Sequence, residues 1–387
     1  MVHFDRARGT AKRLSALTKS PSSWSRRAVR ERSCYNSRMI NTLTVRNFGC
    51  LKDVTADLTR VHAFIGPNDS GKSTLLRAVR TLSQIATLKF SAGAYGWEPF
   101  DPGFAAFPID LPIELAATTP AGTHRAIFEK GQLYEEGEKG GQKSARRHRN
   151  WEMKAPKDAW PDLRHSVGRA ALVRFDPDAL RCPSLLIPEG EEIRFVDDRG
   201  AGLPGIYQAI LSRGDETFTL ISKDIQKHFP NVRYLRVPAI SQDELALEVE
   251  LRDGTRVRAS QFSEGLLLYL AFAAVRWTAG IDTLLVKDPE NGLHPSRIHD
   301  VMAMLRAFSK EAPAQVLIAT HSPLVVNEME PDEATVVTRT IGEGTRLTPI
   351  SKTPNFVKRS SVYALGELWL SYADGRLESA LLDSARE

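Results

Sequence analysis

Val61-His62-Ala63-Phe64-Ile65-Gly66-Pro67-Asn68-Asp69-Ser70-Gly71-Lys72-Ser73-Thr74 is the stretch that decides the fold. Its octet from Gly66 to Ser73 fits the phosphate-loop pattern G-x-x-x-x-G-K-[ST]. The apolar run Val61 to Ile65 reads as a short buried strand, and a helix is expected over 74–90. Strand, glycine-rich loop and helix start together make an anion site. Gly66 and Gly71 let the backbone curl so that its N–H groups point inward. The helix N-terminus adds the positive end of its dipole. Lys72 is expected at the β- and γ-phosphates and Ser73 on Mg²⁺. A plain glycine turn between strand and helix would not require the Lys-Ser pair.

Upstream, Ile40 to Asn47 and Asp53 to Leu58 alternate like two antiparallel strands leading into the loop strand. Downstream, 91–110 reads as a loop, and Leu111 to Ala117 and Arg125 to Phe128 as strands. Residues 131–150 are rich in Gly, Glu and Lys/Arg and read as a mobile stretch. Within it Lys143, Arg146, Arg147, His148 and Arg149 form a basic knot followed by Trp151. Such a knot can grip a nucleic-acid backbone, although a solvated loop accounts for it equally simply. Ala170 to Phe175 is a strand, Gly205 to Phe229 a helical region, and Val232 to Val237 and Leu245 to Leu251 strands. Arg252-Asp253-Gly254-Thr255 supplies a hairpin turn. From Ser263 onward helix, strand, helix and strand alternate, which is an α/β pattern with a parallel sheet.

The chain has 387 residues and a formal net charge of +5. Residues 1–38 hold ten Lys/Arg and two acids, while the remainder holds 42 basic and 45 acidic side chains. The body is therefore slightly acidic, and the basic sign comes from a Ser- and Arg-rich leader. Three readings compete for that leader. It is a disordered tail touching nucleic acid, a targeting peptide, or an artefact of start-site choice with translation beginning at Met39. The last is favoured, because the strand pattern starts immediately after Met39. Cys34, Cys50 and Cys182 are scattered and form no C-x-x-C pair, which suits a reducing cytoplasm. The longest apolar run, Leu266 to Val275, is too short to span a bilayer, so no membrane partner is expected.

Three further clusters carry chemistry. Ser263-Glu264-Gly265 opens an apolar helix; Ser there is an ordinary N-cap, but a hydroxyl beside a side-chain-free Gly is also an anion site. Thr283 to Val286 is an apolar strand that runs into Lys287-Asp288-Pro289-Glu290-Asn291-Gly292-Leu293-His294-Pro295. Acids at the carboxyl end of such a strand are what nucleotide hydrolases use on Mg²⁺ and water. Val316 to Thr320 is a second apolar strand, and it ends in His321-Ser322-Pro323, which directs His321 at the same sheet edge.

Together these clusters resemble the ABC-type ATPases of the SMC/RecF class, within the AAA-domain or OLD-like group. The resemblance runs from about Met39 to Leu370. It implies an α/β P-loop NTPase: an ABC-ATPase head with a mixed β-sheet lobe and a helical signature lobe, and a variable insertion at about 81–240. It also implies ATP and Mg²⁺ as cofactors and a homodimer that sandwiches each ATP between the loop of one copy and the signature serine of the other. Carried over by position, Gly66, Asn68, Ser70, Gly71, Lys72, Ser73 and Thr74 bind nucleotide. Ser263 and Gly265 act in trans, Asn291 to His294 cross the dimer interface, and His321 senses the γ-phosphate. A glutamine that usually contacts Mg²⁺ has no counterpart. The family setting is DNA repair or anti-phage defence, with a nuclease or effector protein as partner and DNA nearby. The short signature argues against a transporter subunit.

The chain departs from that family at one place. Two acids normally precede the proline; here they are Lys287 and Asp288. An ammonium cannot ligate a metal and repels one. Either Asp288 takes the metal role beside Ser73 and leaves Glu290 or the dimer partner to orient water, or the site binds ATP and hydrolyses it slowly. The second outcome is the expectation, and a non-hydrolysing, ATP-gated scaffold that recruits or restrains an effector is the alternative function.

Overall fold

Two six-stranded sheets close on one helix. The computed structural model describes residues 39–87, 111–130, 132–148, 167–311, 314–340, 342, 344–353, 356 and 364–368. The leader 1–38, the loop expected at 91–110, and Arg149 and Trp151 lie outside the described residues. The antiparallel sheet has the order β2 (Leu51–Asp57), β1 (Thr42–Phe48), β4 (Ile113–Thr119), β5 (Gly122–Glu129), β6 (Gln132–Lys139) and β7 (Gln142–His148). The other sheet has the order β17 (Gly344–Pro349), β16 (Ala334–Thr340), β3 (Val61–Ile65), β15 (Gln315–Thr320), β14 (Thr283–Lys287) and β8 (Ala170–Val173). Within it β16, β3, β15, β14 and β8 are parallel, and only β17 is antiparallel. The stretch 81–240 thus supplies strands to both sheets.

Helix α1 (Lys72–Thr87) lies between them. Its Leu75, Leu76, Val79, Leu82 and Ile85 recur at helical spacing and are buried in one core with both sheets. β3 explains why its sequence is apolar throughout. Phe64 faces the α1 core, whereas Val61, Ala63 and Ile65 face a second core built with α6 (Pro295–Glu311) and α7 (Pro323–Asn327). Covering both faces removes the polar side of the usual alternation.

A third core forms the helical lobe from α2 (Pro177–Arg181), α3 (Leu203–Ser212), α4 (Thr217–His228) and α5 (Glu264–Val275). A three-stranded sheet, β10 (Val232–Arg236), β12 (Glu248–Leu251) and β13 (Arg256–Arg258), packs with them. β9 (Ser184–Leu185) and β11 (Glu244–Leu245) pair beside it. The helical region expected at 205–229 is two helices, separated at Gly214, whose φ is +67°. α5 has seven consecutive buried residues, Leu266 to Phe272, and such an all-round apolar helix belongs in a lobe centre.

One expectation is overturned. Residues 132–148 form the ordered hairpin β6–β7, turned at Gly140 and Gly141, both with positive φ. Charge hid the period of two, because the register sets an acidic strand against a basic one. Glu138 lies opposite Lys143, with their charged groups 3.8 Å apart, and such cross-strand pairs stabilise a sheet. The basic residues 143 and 146–148 are therefore part of an edge strand rather than a loose loop.

Candidate nucleotide site

The loop after β3 is shaped by its two glycines. A Cβ on Gly66 would sit 2.1 Å from the Val337 carbonyl oxygen of β16. Gly71 has φ +112°, and a Cβ there would meet Thr345 Oγ1 at 2.7 Å. No larger residue fits either place. Thr345 Oγ1 donates to the Ser70 carbonyl at 2.8 Å, and Arg339 Nη1 donates to the Asp69 carbonyl at 3.4 Å, so β16 and β17 brace the loop from outside. The first turn of α1 carries no acid, which leaves its positive end to an anion. Lys72 is buried, and its ammonium donates to the Gly66 and Pro67 carbonyls at 2.7 and 2.6 Å. Burial pulls its pKa below the ordinary lysine value, and Asp288 and Glu290 oppose that pull.

Parallel register brings the other clusters to this edge. Lys287 pairs with Ala319, Ala319 with Phe64, and Thr320 with Ile65. After Lys287 the chain enters a left-handed turn, with Asp288 at φ +49° and its N–H donating to the Ala319 carbonyl at 2.8 Å. A positive φ on a residue other than glycine stores strain, and it marks the point where β14 turns away. Glu290 Oε1 accepts from Thr320 Oγ1 at 2.7 Å and from the His321 N–H at 3.2 Å. Imidazole Nδ1 of His321 lies 3.3 Å from Glu290 Oε1 and 3.7 Å from Asp288 Oδ1. Glu290 Oε2 is buried with no hydrogen-bond partner.

A cleft of about 770 Å³ opens between these ends. Asn68, Asp69, Gly71, Lys72, Ser73 and Thr74 line it, together with Lys287, Asp288, Arg174 and Arg339. Four cations thus face two carboxylates. Arg174, which directly follows β8, and Arg339, near the end of β16, were not singled out from the sequence. The apolar strand before Arg174 carried the same signal as the one before Lys287; for Arg339 no local signal exists. Burial, then Arg174, pull the pKa of Lys287 below the usual lysine value, while Asp288 raises it.

Ser263 and Gly265 are elsewhere. Ser263 caps α5, its hydroxyl accepting from the Leu266 N–H at 3.3 Å. Ser263 is exposed, and a Cβ on Gly265 would meet nothing within 4 Å. Gly292, with φ +74°, sits where a Cβ would meet Leu268 Cδ1 at 2.9 Å, so the loop carrying Asn291 and His294 lies against the start of α5. Neither Ser263 nor Gly265 lines the cleft of its own chain.

Lys287 makes the residues present a poor fit to a magnesium site. Mg²⁺ asks for an octahedron of oxygens, with one or two carboxylates besides water and phosphate. Ser73 offers a hydroxyl and Asp288 a carboxylate, but Lys287 occupies the strand end that an acid fills in such sites. Asp288, Glu290 and His321 do bring ligand atoms within 4.8 Å of one another. An imidazole in the set suits a borderline metal better than magnesium, and Glu290 Oε1 already holds the Thr320 hydroxyl and the His321 N–H.

Among solved structures, the SMC head bound to the C-winged helix domain of ScpA is 14% identical, with 80% of this chain and 96% of that chain covered and a TM-score of 0.50. The SMC head domain from Thermotoga maritima is also 14% identical, over 80% of this chain and 98% of that one, with a TM-score of 0.41. The first of these shows a shared fold, and in this chain a mixed-sheet lobe carries the phosphate loop and a helical lobe carries Ser263. An OLD nuclease of Thermus scotoductus is 46% identical over 41 residues, which is 11% of this chain and only 8% of that protein. Among the described residues no helix is long and apolar enough to cross a membrane. Residues 61–327, more than two thirds of the chain, match the family described as "AAA domain, putative AbiEii toxin, Type IV TA system", and the chain belongs to this family of P-loop ATPases with an SMC-like head.

Proposed function

We propose that this protein is an ATP-gated switch. One ATP occupies the cleft of each copy, two copies close head to tail, and hydrolysis is slow. The observation that carries the reading is the cleft itself, where a glycine-shaped loop, Lys72 and the start of α1 meet Arg174, Lys287 and Arg339. Ser263 is exposed, Gly265 has open space beside it and neither lines that cleft, which supports a role for both on a phosphate held by a second copy. Asp288, Glu290 and His321 are the candidates for water and the γ-phosphate. Glu290 Oε2, still without a donor, is the atom we assign to orienting water. The setting is the cytoplasm, in DNA repair or anti-phage defence beside a nuclease or other effector. The scattered cysteines and the short likeness to an OLD nuclease support this setting.

Lys287 favours a second reading, a scaffold that closes on ATP without turning it over and thereby recruits or restrains its effector. Light scattering with and without ATP tests the shared part. Wild type is expected to double in mass with ATP, and Lys72→Ala to stay a monomer. A wild type whose mass ignores ATP would sink both readings. ATPase rates then separate them: slow but measurable turnover supports the switch, no turnover supports the scaffold, and brisk Mg²⁺-dependent turnover argues against both.

A further inference from the structure

We infer that the nucleotide is held here without a divalent cation, with Lys287 and Arg174 supplying the positive charge that Mg²⁺ brings to other phosphate-loop proteins. The inference rests on the reading of this cleft as an ATP site and adds the ionic form in which ATP is taken. In phosphate-loop enzymes a magnesium ion bridges the phosphates and neutralises their charge. Lys287 and Arg174 together carry the same formal charge as one such ion. Both face the cleft that Lys72 and Ser73 line. Among the described residues neither side chain makes a hydrogen bond or ion pair with protein. Other arginines are paired, Arg46 with Asp53 and Glu114, and Arg169 with Glu192. Two like charges kept side by side repel each other, and Asp288 offsets this only in part at Lys287. A polyphosphate relieves that repulsion. A magnesium ion beside them increases it, and Asp288 stands where a second acid is replaced by Lys287 itself.

Arg174 owes its place to β8, which pairs in parallel with β14, Val173 lying opposite Val286. Consecutive strands thus deliver their next residues, Arg174 and Lys287, to one side of the cleft. Strand geometry alone sets this pair, and it needs no movement of a loop.

The test is equilibrium binding of ATP to the full chain, once with Mg²⁺ and once with EDTA. Wild-type affinity is expected to change by less than about threefold between the two. In folded Lys287→Asp, whose melting curve serves as the control, affinity in EDTA is expected to fall by about tenfold or more and to return with Mg²⁺. Should that variant be unfolded, Arg174→Glu serves in its place, with the same fall in EDTA expected. Binding by wild type that needs Mg²⁺ would overturn the inference, leave the ATP site standing and assign the cation to Asp288. Equal EDTA affinity in wild type and in the folded variant would overturn it as well. No ATP uptake under either condition would instead remove the proposed function on which it rests.

Discussion

His62 shows how one side chain records the burial of its strand. It is 1% exposed in β3, its Nε2 sits 3.0 Å from Thr335 Oγ1, and its Nδ1 sits 3.1 Å from Thr59 Oγ1. Burial lowers its pKa from 6.5 to about 4, against the weaker pull of Glu333 and Asp57. The folded imidazole therefore stays neutral where the unfolded one is protonated. Between about pH 6.5 and 4 the unfolded chain binds the extra proton, so stability is whole above this window and is lost on acidification through it. The loss amounts to about 3 kcal/mol at most. Urea unfolding at pH 7.5, 6 and 5 is expected to show it, and His62→Gln to flatten the slope. A wild-type stability flat from pH 7.5 to 5 would contradict the assignment. Glu333, whose carboxyl Arg306 holds below its usual value against the opposing effect of burial, does not share the upper part of this window.

At the scale of elements, α5 carries two separable roles at one residue. The Ser263 hydroxyl caps the helix, and losing such a cap costs about 1 kcal/mol. The proposed role in a second copy needs a donor facing phosphate. Aspartate is as good a cap as serine, but it sets a carboxylate against that phosphate. Ser263→Asp is expected to keep the melting temperature within about 2 °C of wild type while abolishing ATP-dependent dimerisation. Ser263→Ala is expected to lower stability as well. Calorimetric melting and light scattering on the same samples check this, and an Asp variant that still dimerises with ATP would confine Ser263 to capping. The β6–β7 hairpin carries a lesson at this scale. Its Glu-rich and Arg-rich strands are each poor strand candidates alone, and the register sets one opposite the other.

For the whole molecule, charge is divided along the chain, with an excess of eight positive charges in residues 1–38 and a slight excess of acids beyond. Non-specific DNA affinity follows phosphate neutralisation and falls steeply with salt. A protein beginning at Met39 is expected to keep the melting temperature and ATP affinity of the full chain. It is expected to lose the part of DNA binding that disappears between about 50 and 200 mM salt. Filter binding across that range decides the matter. Undiminished DNA binding by the shorter protein would locate the contact in the body, and a drop in melting temperature would make residues 1–38 part of the fold.

By itself the sequence determined the phosphate loop, the strands that flank it, and the two polar strings that follow β14 and β15. Each of these is a local pattern, in which glycines at a fixed spacing or an apolar run ending in acids state their own geometry. It also showed Lys287 in an acid's place. Only the tertiary structure decided what surrounds Lys287. Arg174 is 113 residues away and Arg339 is 52 residues away in the chain, and parallel pairing of β8 with β14 and of β16 with β3 brings them to one cleft. The hairpin at 132–148 and the separation of Ser263 from the cleft were decided in the same way, because register and the packing of one lobe on another depend on contacts between distant residues, which no local window of residues contains.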